Sequence, residues 1–505
     1  MDSHSAPKIR RTRREFLRTV GLGLGATALA PYAIDPSPAA AQGTGGKAPR
    51  FDGVTLQVSA VEANYMIGFK LFEGELQQQY GIKMVYDTVP VDQLYQRDML
   101  EFSGGTASHD LILVQPGWLA DYSRHLEPLE PMARKYGVNL GLGDDVLPAF
   151  RTYMSWDNVL LAAPFDADQL QFLYNKVAFD RAENRSAFRA KYNYDLKPPE
   201  TWDQYREMAD FFSATDWAGD GKKRFGAVES WRRGIWCYSW WLCRFASYGG
   251  VYFDENMRPL VNTPAARKAL DNMMAMRKST PPAIATAPNP EMRAIFANGD
   301  AAMTINFSSL ARVVMTPAAS KIVGQVGVAP VPGVRHGSEL YRRSSFGGGG
   351  WLLAVPRYAK NRDAAFLALA YLSQPGPSLS LALDFRTTVD PWRRSALQSP
   401  KWYEIWPDYK DYVRQLLAVT EETPRTGIPD LQIPGSEQYR SALATEINVA
   451  LVGDKQPQQA LDDAAKAWDG ITDRFGRDQQ NAFWSKQNDA LKKLGIVYRP
   501  ELAGS

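Results

Sequence analysis

The sequence predicts an α/β protein built from two or more lobes. Three observations carry that expectation. Residues 54–114 read strand, helix, strand, helix, strand, the signature of a largely parallel sheet covered by helices. About 460 residues follow an N-terminal leader, more than one ordinary hydrophobic core serves. The 39 glycines and 33 prolines are dispersed as loop punctuation, and 45% hydrophobic residues exclude a disordered chain.

The elements follow in order. Val54 to Ala60 opens as a strand. Met66 to Tyr80 carries Ile67, Leu71 and Leu76 at helical spacing and stops at Gly81. Ile82 to Tyr86 is a second strand, and Val91 to Glu101 a helix ending before Gly104-Gly105. Asp110 to Val114 is apolar enough to be buried on both faces. Leu160 to Pro164 and Leu170 to Tyr174 flank residues 165–169, which read as chain passing between lobes. Thr201, after Pro198-Pro199, caps a helix from Trp202 to Phe212. Trp231 to Tyr248 is aromatic-rich and helical, closed by Gly249-Gly250, and Val251 to Leu260 suits a small hairpin. A helix from Pro264 to Arg277, a strand from Ala301 to Ile305 and a helix from Lys360 to Ser373 follow. Ser436 to Val452 and Pro457 to Phe475 form a C-terminal helical pair.

The leader has three parts. Thr12-Arg13-Arg14-Glu15-Phe16-Leu17-Arg18 is charged, Thr19 to Ala30 is mildly apolar, and Ala39-Ala40-Ala41 is a small-residue cleavage site. This order resembles a twin-arginine export signal cleaved near Ala41, and it implies a periplasmic protein exported in the folded state. Removing its six basic and three acidic residues from the 58 and 55 of the chain leaves 52 of each sign. A neutral mature protein has no long-range field for nucleic acid or an anionic membrane. Beyond the leader no apolar run is long enough to span a bilayer.

Cys237 and Cys243, six apart, point about 120° from one another on a helix, a poor geometry for a disulfide. They read as small buried hydrophobes. His109, His125 and His336 are scattered, so no zinc site, no Ser-His-Asp arrangement and no cofactor is expected.

Five segments, in order, resemble the extracellular solute-binding proteins of ABC importers, in the sugar-binding group that includes maltose-binding protein. They are Leu173-Tyr174-Asn175-Lys176 with Phe179, Pro198-Pro199-Glu200-Thr201-Trp202-Asp203, Phe296 to Met303 with Asn306, Phe346 to Val355, and Gln458-Gln459-Ala460-Leu461. The resemblance implies a two-lobe, type II-like periplasmic-binding-protein fold, with residues 52–165 and 350–388 in the first lobe and 166–349 and 389–498 in the second. It implies hinge crossings near Phe165 to Gln169, Phe346 to Trp351 and Thr387 to Pro391, and a ligand held in the cleft between lobes. It also implies a small-molecule carbohydrate as ligand and ABC permease subunits as partners. A monomer without cofactor or metal is expected.

A sugar offers flat apolar faces rimmed by hydroxyls, so its site needs aromatic planes and paired polar side chains. Trp231, Trp236, Trp240 and Trp241 cluster with Arg232, Arg233 and Arg244 interleaved. Trp231, at a strand end, is the leading candidate, with Arg232 and Trp236 beside it; Trp241 packs inward. Strand-end geometry and the resemblance together add Glu62, Gln115, Trp118, Asp166, Asp168 and Asn306. Trp351, Arg386 and Gly349 complete the set. The run Gly347 to Gly350 lacks a phosphate-loop pattern and suits a hinge or a close backbone approach. Two alternatives stand beside the carbohydrate receptor. One is an acidic ligand held by Arg232-Arg233, Arg342-Arg343 or Arg393-Arg394. The other is an exported glycosidase using two of Glu62, Asp166 and Asp168.

Overall fold

The computed structural model describes residues 49–61, 63–346 and 350–504. The leader with its cleavage site, Glu62 and Gly349 lie outside the described residues. Two sheets organise the rest. Their strands are β1 (Thr55–Ala60), β2 (Lys83–Thr88), β3 (Ile112–Val114), β4 (Ala163–Asp166), β5 (Leu170–Asn175), β6 (Phe225–Val228), β7 (Ala301–Phe307), β8 (Val326–Ala329) and β9 (Trp351–Ala354).

In the first lobe β1 pairs in parallel with β2, and Val58 bridges Leu111 in parallel at the start of β3. β9 then inserts antiparallel between β3 and β4. The expected parallel sheet is therefore mixed. Its hinge-side half is antiparallel because β9 belongs to a late segment that returns from the second lobe. The second sheet has the order β8-β5-β7-β6, with only β6 and β7 parallel. β5 and β7 are almost wholly buried, which explains their continuous apolar character.

Local chemistry sets the element ends. Asn175 closes β5 and caps the next helix, accepting from the Val177 amide at 2.9 Å. Thr201 and Gln204 form a reciprocal capping box at the head of Trp202–Phe212. The Ile235–Ser247 helix is buried on every side, as its all-round apolar sequence requires. Trp231 itself precedes that helix, shorter than the expected Trp231-to-Tyr248 span. Met66 to Tyr80 is two helices, Ala63–Lys70 and Glu73–Tyr80, broken at Leu71-Phe72. Val251 to Leu260 makes a turn with one isolated bridge, Phe253 to Pro259, in place of a two-stranded hairpin. Cys237 and Cys243 are both free and buried.

Two hydrophobic cores coincide with the two sheets. One draws on residues 56–167 and 346–397, the other on 170–341 and 412–503. The chain thus changes core between Ala167 and Leu170, across the crossing expected at 165–169. Val389, Trp392 and Leu397, placed by the sequence reading in the second lobe, pack in the first core. They are held there by main-chain bonds from Leu147 to Trp392 (3.0 Å) and from Arg394 to Asp145 (2.7 Å).

Gly350 sits where the returning chain meets the outgoing one. Its φ is +93°, and a Cβ would lie 2.1 Å from the Asp166 carbonyl oxygen. Only glycine meets both demands. Gly350→Ala is expected to cost more than about 1 kcal/mol and to lower the thermal midpoint of the mature protein. An unchanged midpoint would show that β9 and β4 separate freely at this point.

Candidate functional site

The carboxyl ends of β1, β3, β6 and β7, with the crossing after β4, converge on one edge between the two cores. Three groups of side chains meet there.

The first group lies at the hinge. Asp166 closes β4, Asp168 follows it in the crossing, and Asp390 arrives on the second crossing segment. Carboxylate oxygens of the three lie within 4.8 Å of one another, and all three residues are buried. The Tyr65 hydroxyl donates to Asp166 at 2.7 Å, and the Asp390 amide donates to its other oxygen at 2.7 Å. Arg312 donates to Asp390 at 2.8 Å, and the Ser309 amide at 3.0 Å. Burial, reinforced by Asp390, pushes the Asp166 carboxyl up to about 7. Burial and the two neighbouring carboxylates hold Asp168 well above the usual range. Asp166 and Asp390 accept from a phenol, an arginine and main-chain amides, so two of the three carboxylates serve as hydrogen-bond acceptors within the protein.

The second group is an aromatic row on the first lobe. The Tyr65 and Trp351 rings meet edge-on at 6.0 Å, and Trp351 meets Trp118 edge-on at 5.9 Å. Trp351 is registered against Asp166, and Gln115 stands one step beyond the paired residues of β3, alongside Trp351. Gln115 is fully buried, and no protein group meets either atom of its amide.

The third group lies on the second lobe. Glu229 follows β6 and forms an ion pair with Arg244 at 2.8 Å, both side chains 0% exposed. The Trp231 indole donates to Glu229 at 2.7 Å and Tyr205 donates at 2.8 Å. Ser230, between them, keeps a buried hydroxyl without a partner, as does the Trp236 indole nitrogen. Asn306 lies at the end of β7, its amide 3.4 Å from Asn289. Gln169, in the crossing, is buried with both amide atoms unmet. Buried polar groups are ordinarily paired. Unspent groups gathered from both lobes and the crossing are what a hydroxyl-rich solute would satisfy.

Of the sequence candidates, Gln115, Trp118, Asp166, Asp168, Trp231, Asn306 and Trp351 come to this edge. Arg232 reaches across to Asp92 of the first lobe at 3.1 Å. Trp236 is half-buried with its ring against Phe307. Arg386 is a correction: it is exposed and chelated by Asp384, its own near neighbour, with a bond of 2.9 Å. Trp240 and Trp241 belong to the core, donating to the carbonyls of Ile305 and Ala266. One arginine of each of two further pairs is spent. Arg343 serves the carbonyls of Thr426 and Gly495, and Arg393 serves Asp145 and the carbonyl of Gly141. Sequence reasoning missed Tyr65, Glu229, Asp390 and Arg312. Asp390 falls inside the flagged Thr387-to-Pro391 crossing, so the signal was present there. Tyr65 and Arg312 carry no local mark of their long-range partners.

Comparison with known proteins adds a family and a fold. A family model described as bacterial extracellular solute-binding protein matches residues 63–377. A Sinorhizobium fredii protein, named a probable amino-acid ABC transporter periplasmic-binding protein, is 24% identical over 389 residues, covering 76% of this chain and 81% of its own. The mannitol-binding protein of Pseudomonas aeruginosa is 23% identical over 432 residues, 81% of this chain and 90% of its own. The solved structure of an ABC transporter solute-binding protein from Agrobacterium radiobacter K84, in complex with ribitol, aligns with a TM-score of 0.70 at 22% identity, over 84% of this chain and 100% of that one. The expected two-lobe α/β architecture is borne out by that likeness.

Proposed function

This chain belongs to the bacterial extracellular solute-binding protein family, and from that premise we propose that it captures a carbohydrate or polyol between its lobes and delivers it to an ABC permease. Members of the family bind small solutes outside the cytoplasm. For this chain, export by the twin-arginine route, cleavage near Ala41, a monomeric state and binding without covalent chemistry belong to the proposal.

One observation supports the ligand class above the rest. Gln115, Gln169 and Ser230 hold buried, unpartnered neutral donors and acceptors, and Gln115 stands alongside Trp351 in the aromatic row with Tyr65. Neutral amides and a hydroxyl next to aromatic faces suit hydroxyls on an apolar carbon frame. The mannitol-binding relative and the ribitol-bound structure agree with that class. Gln115, Asp166, Asp168, Trp231 and Asn306 are the proposed contacts, joined by Tyr65 and Asp390; Trp118, enclosed by Tyr95, Tyr122, Trp351 and Glu437, is withdrawn from the set.

A panel of sugars, alditols and sugar acids tests the reading by thermal unfolding and tryptophan emission. A ligand at one hundred times its Kd is expected to add about 2.7 kcal/mol of stability. If no compound moves either the midpoint or the emission, the proposal is overturned.

A further inference from the structure

Hydrogen-bonding capacity is distributed unevenly along the cleft. Near the hinge it is unspent, at Gln115 and Gln169, and on the second lobe at Ser230. At the far end of the aromatic row it is used up between the lobes themselves. The Trp118 indole donates to Glu437 of the second lobe at 2.7 Å. Arg440, one turn further along the Ser436–Val452 helix, donates to the same Glu437 and lies 3.7 Å from Asp430. Its guanidinium stands 5.8 Å from the centre of the Trp118 ring. The other sides of that indole are taken by Tyr95 at 5.5 Å, Tyr122 at 5.9 Å and Trp351 at 5.9 Å. Trp118 has no open face on which a sugar ring could lie.

The chain leading into that helix is seated on the first lobe as well. Gln432 donates to the Pro116 carbonyl at 3.3 Å, the Gly435 amide donates to Asp121 at 2.9 Å, and the Ser436 hydroxyl donates to the Gly117 carbonyl. The Asp430 amide donates to the Tyr153 hydroxyl at 3.1 Å. Displacing this strap would strand a buried arginine, 7% exposed, beside carboxylates that had lost their geometry.

We propose that the Glu437–Arg440 clasp over Trp118 is the end wall of the cleft and restricts it to a short solute, a single monosaccharide or an open-chain alditol, excluding oligosaccharides. The inference rests on the receptor reading above and adds the size of the solute and the residues that set it. A second sugar unit would have to take the face of Trp118 that Arg440 covers, drawing Arg440 away from Glu437 and Asp430 and breaking the interlobe Trp118–Glu437 bond. A short solute needs only the unspent groups near the hinge.

Titration calorimetry of the mature protein with D-mannitol, ribitol and maltotriose tests this. The wild type is expected to bind at least one alditol at least a hundredfold more tightly than maltotriose. Arg440→Ala and Glu437→Gln should each reduce that ratio at least tenfold, a change that a general loss of stability, acting on both ligands alike, does not produce. Glu437→Gln keeps the side-chain volume and reads the clasp even if Arg440→Ala fails to fold. Wild-type binding of maltotriose as tight as that of the alditols overturns the size limit and leaves the receptor reading intact. A ratio unchanged in the variants overturns the clasp. No binding of any of the three by folded wild type overturns the short-solute proposal, and the wider panel above then decides the receptor reading separately.

Discussion

Replacing Arg244 by methionine is expected to lower the unfolding free energy of the mature protein by about 3–5 kcal/mol. Arg244 and Glu229 are both fully buried and 2.8 Å apart. Arg244 also donates to Asn272 at 2.8 Å and to the Trp240 carbonyl at 3.0 Å, and it stacks 4.4 Å over Trp202. Without it, Glu229 keeps only the Tyr205 hydroxyl and the Trp231 indole against a buried negative charge. A methionine fills the space but supplies no charge, so the cost is that of an unpaired carboxylate. Adding Glu229→Gln to the same chain removes that charge and should recover part of the loss, which a double-mutant cycle in urea denaturation measures. The exposed pair Arg425–Glu421 is the comparator, since exposed pairs contribute at most about 1 kcal/mol. If Arg244→Met costs no more than Arg425→Met, the buried pair is not the anchor of the second-lobe edge. The same pair positions Trp231, so its loss should also weaken ligand binding.

Asp168→Asn is expected to weaken binding of the best ligand by up to about tenfold, the effect of losing a hydrogen bond to a neutral carboxyl worth about 0.5–1.5 kcal/mol. Asp168 lies in the crossing, 9% exposed, between the lobes whose closure surrounds the solute. The substitution also has a signature in pH. Burial raises both Asp166 and Asp168, reinforced by Asp390 at Asp166 and by Asp166 and Asp390 at Asp168, and takes Asp166 to about 7. The folded protein therefore holds protons that the unfolded chain releases. That contribution to stability is fully present below the ordinary carboxylate pKa of about 4 and is lost as pH rises towards about 7 and above. Asp168→Asn removes one of the titrating groups and flattens this decline. Thermal midpoints between pH 4 and 8 check it: parallel profiles for wild type and variant would mean that Asp168 does not titrate with the hinge cluster.

Much of the cleft edge was legible before any coordinates because strand ends are local features. Trp231 was singled out by its place after a strand-like run, and Gln115, Asp166 and Asp168 by strand-end position together with the family resemblance. Arg386 was misread because its partner, Asp384, is two residues away and a short-range bond outweighs a distant site. Trp240 and Trp241 were drawn into the core because the helix that carries them is apolar all round. Glu437 and Arg440 look in sequence like a solvent-facing i, i+3 pair, and nothing local distinguishes them from Asp411 and Arg414, which are such a pair.

Alternation of apolar runs, caps such as Thr201 and Asn175, and total length determined the class of fold, more than one lobe and the positions of the strand ends. These depend on interactions a few residues long, which the order of residues specifies directly. Only the tertiary structure decided which polar groups are spent and which are left over. Tyr65 meets Asp166 across 101 residues, Arg312 meets Asp390 across 78, and Trp118 meets Glu437 across 319. The reason is physical: a hydrogen bond reaches about 3 Å, so partners distant in sequence are chosen by how the sheets and lobes pack rather than by the neighbours each residue has along the chain.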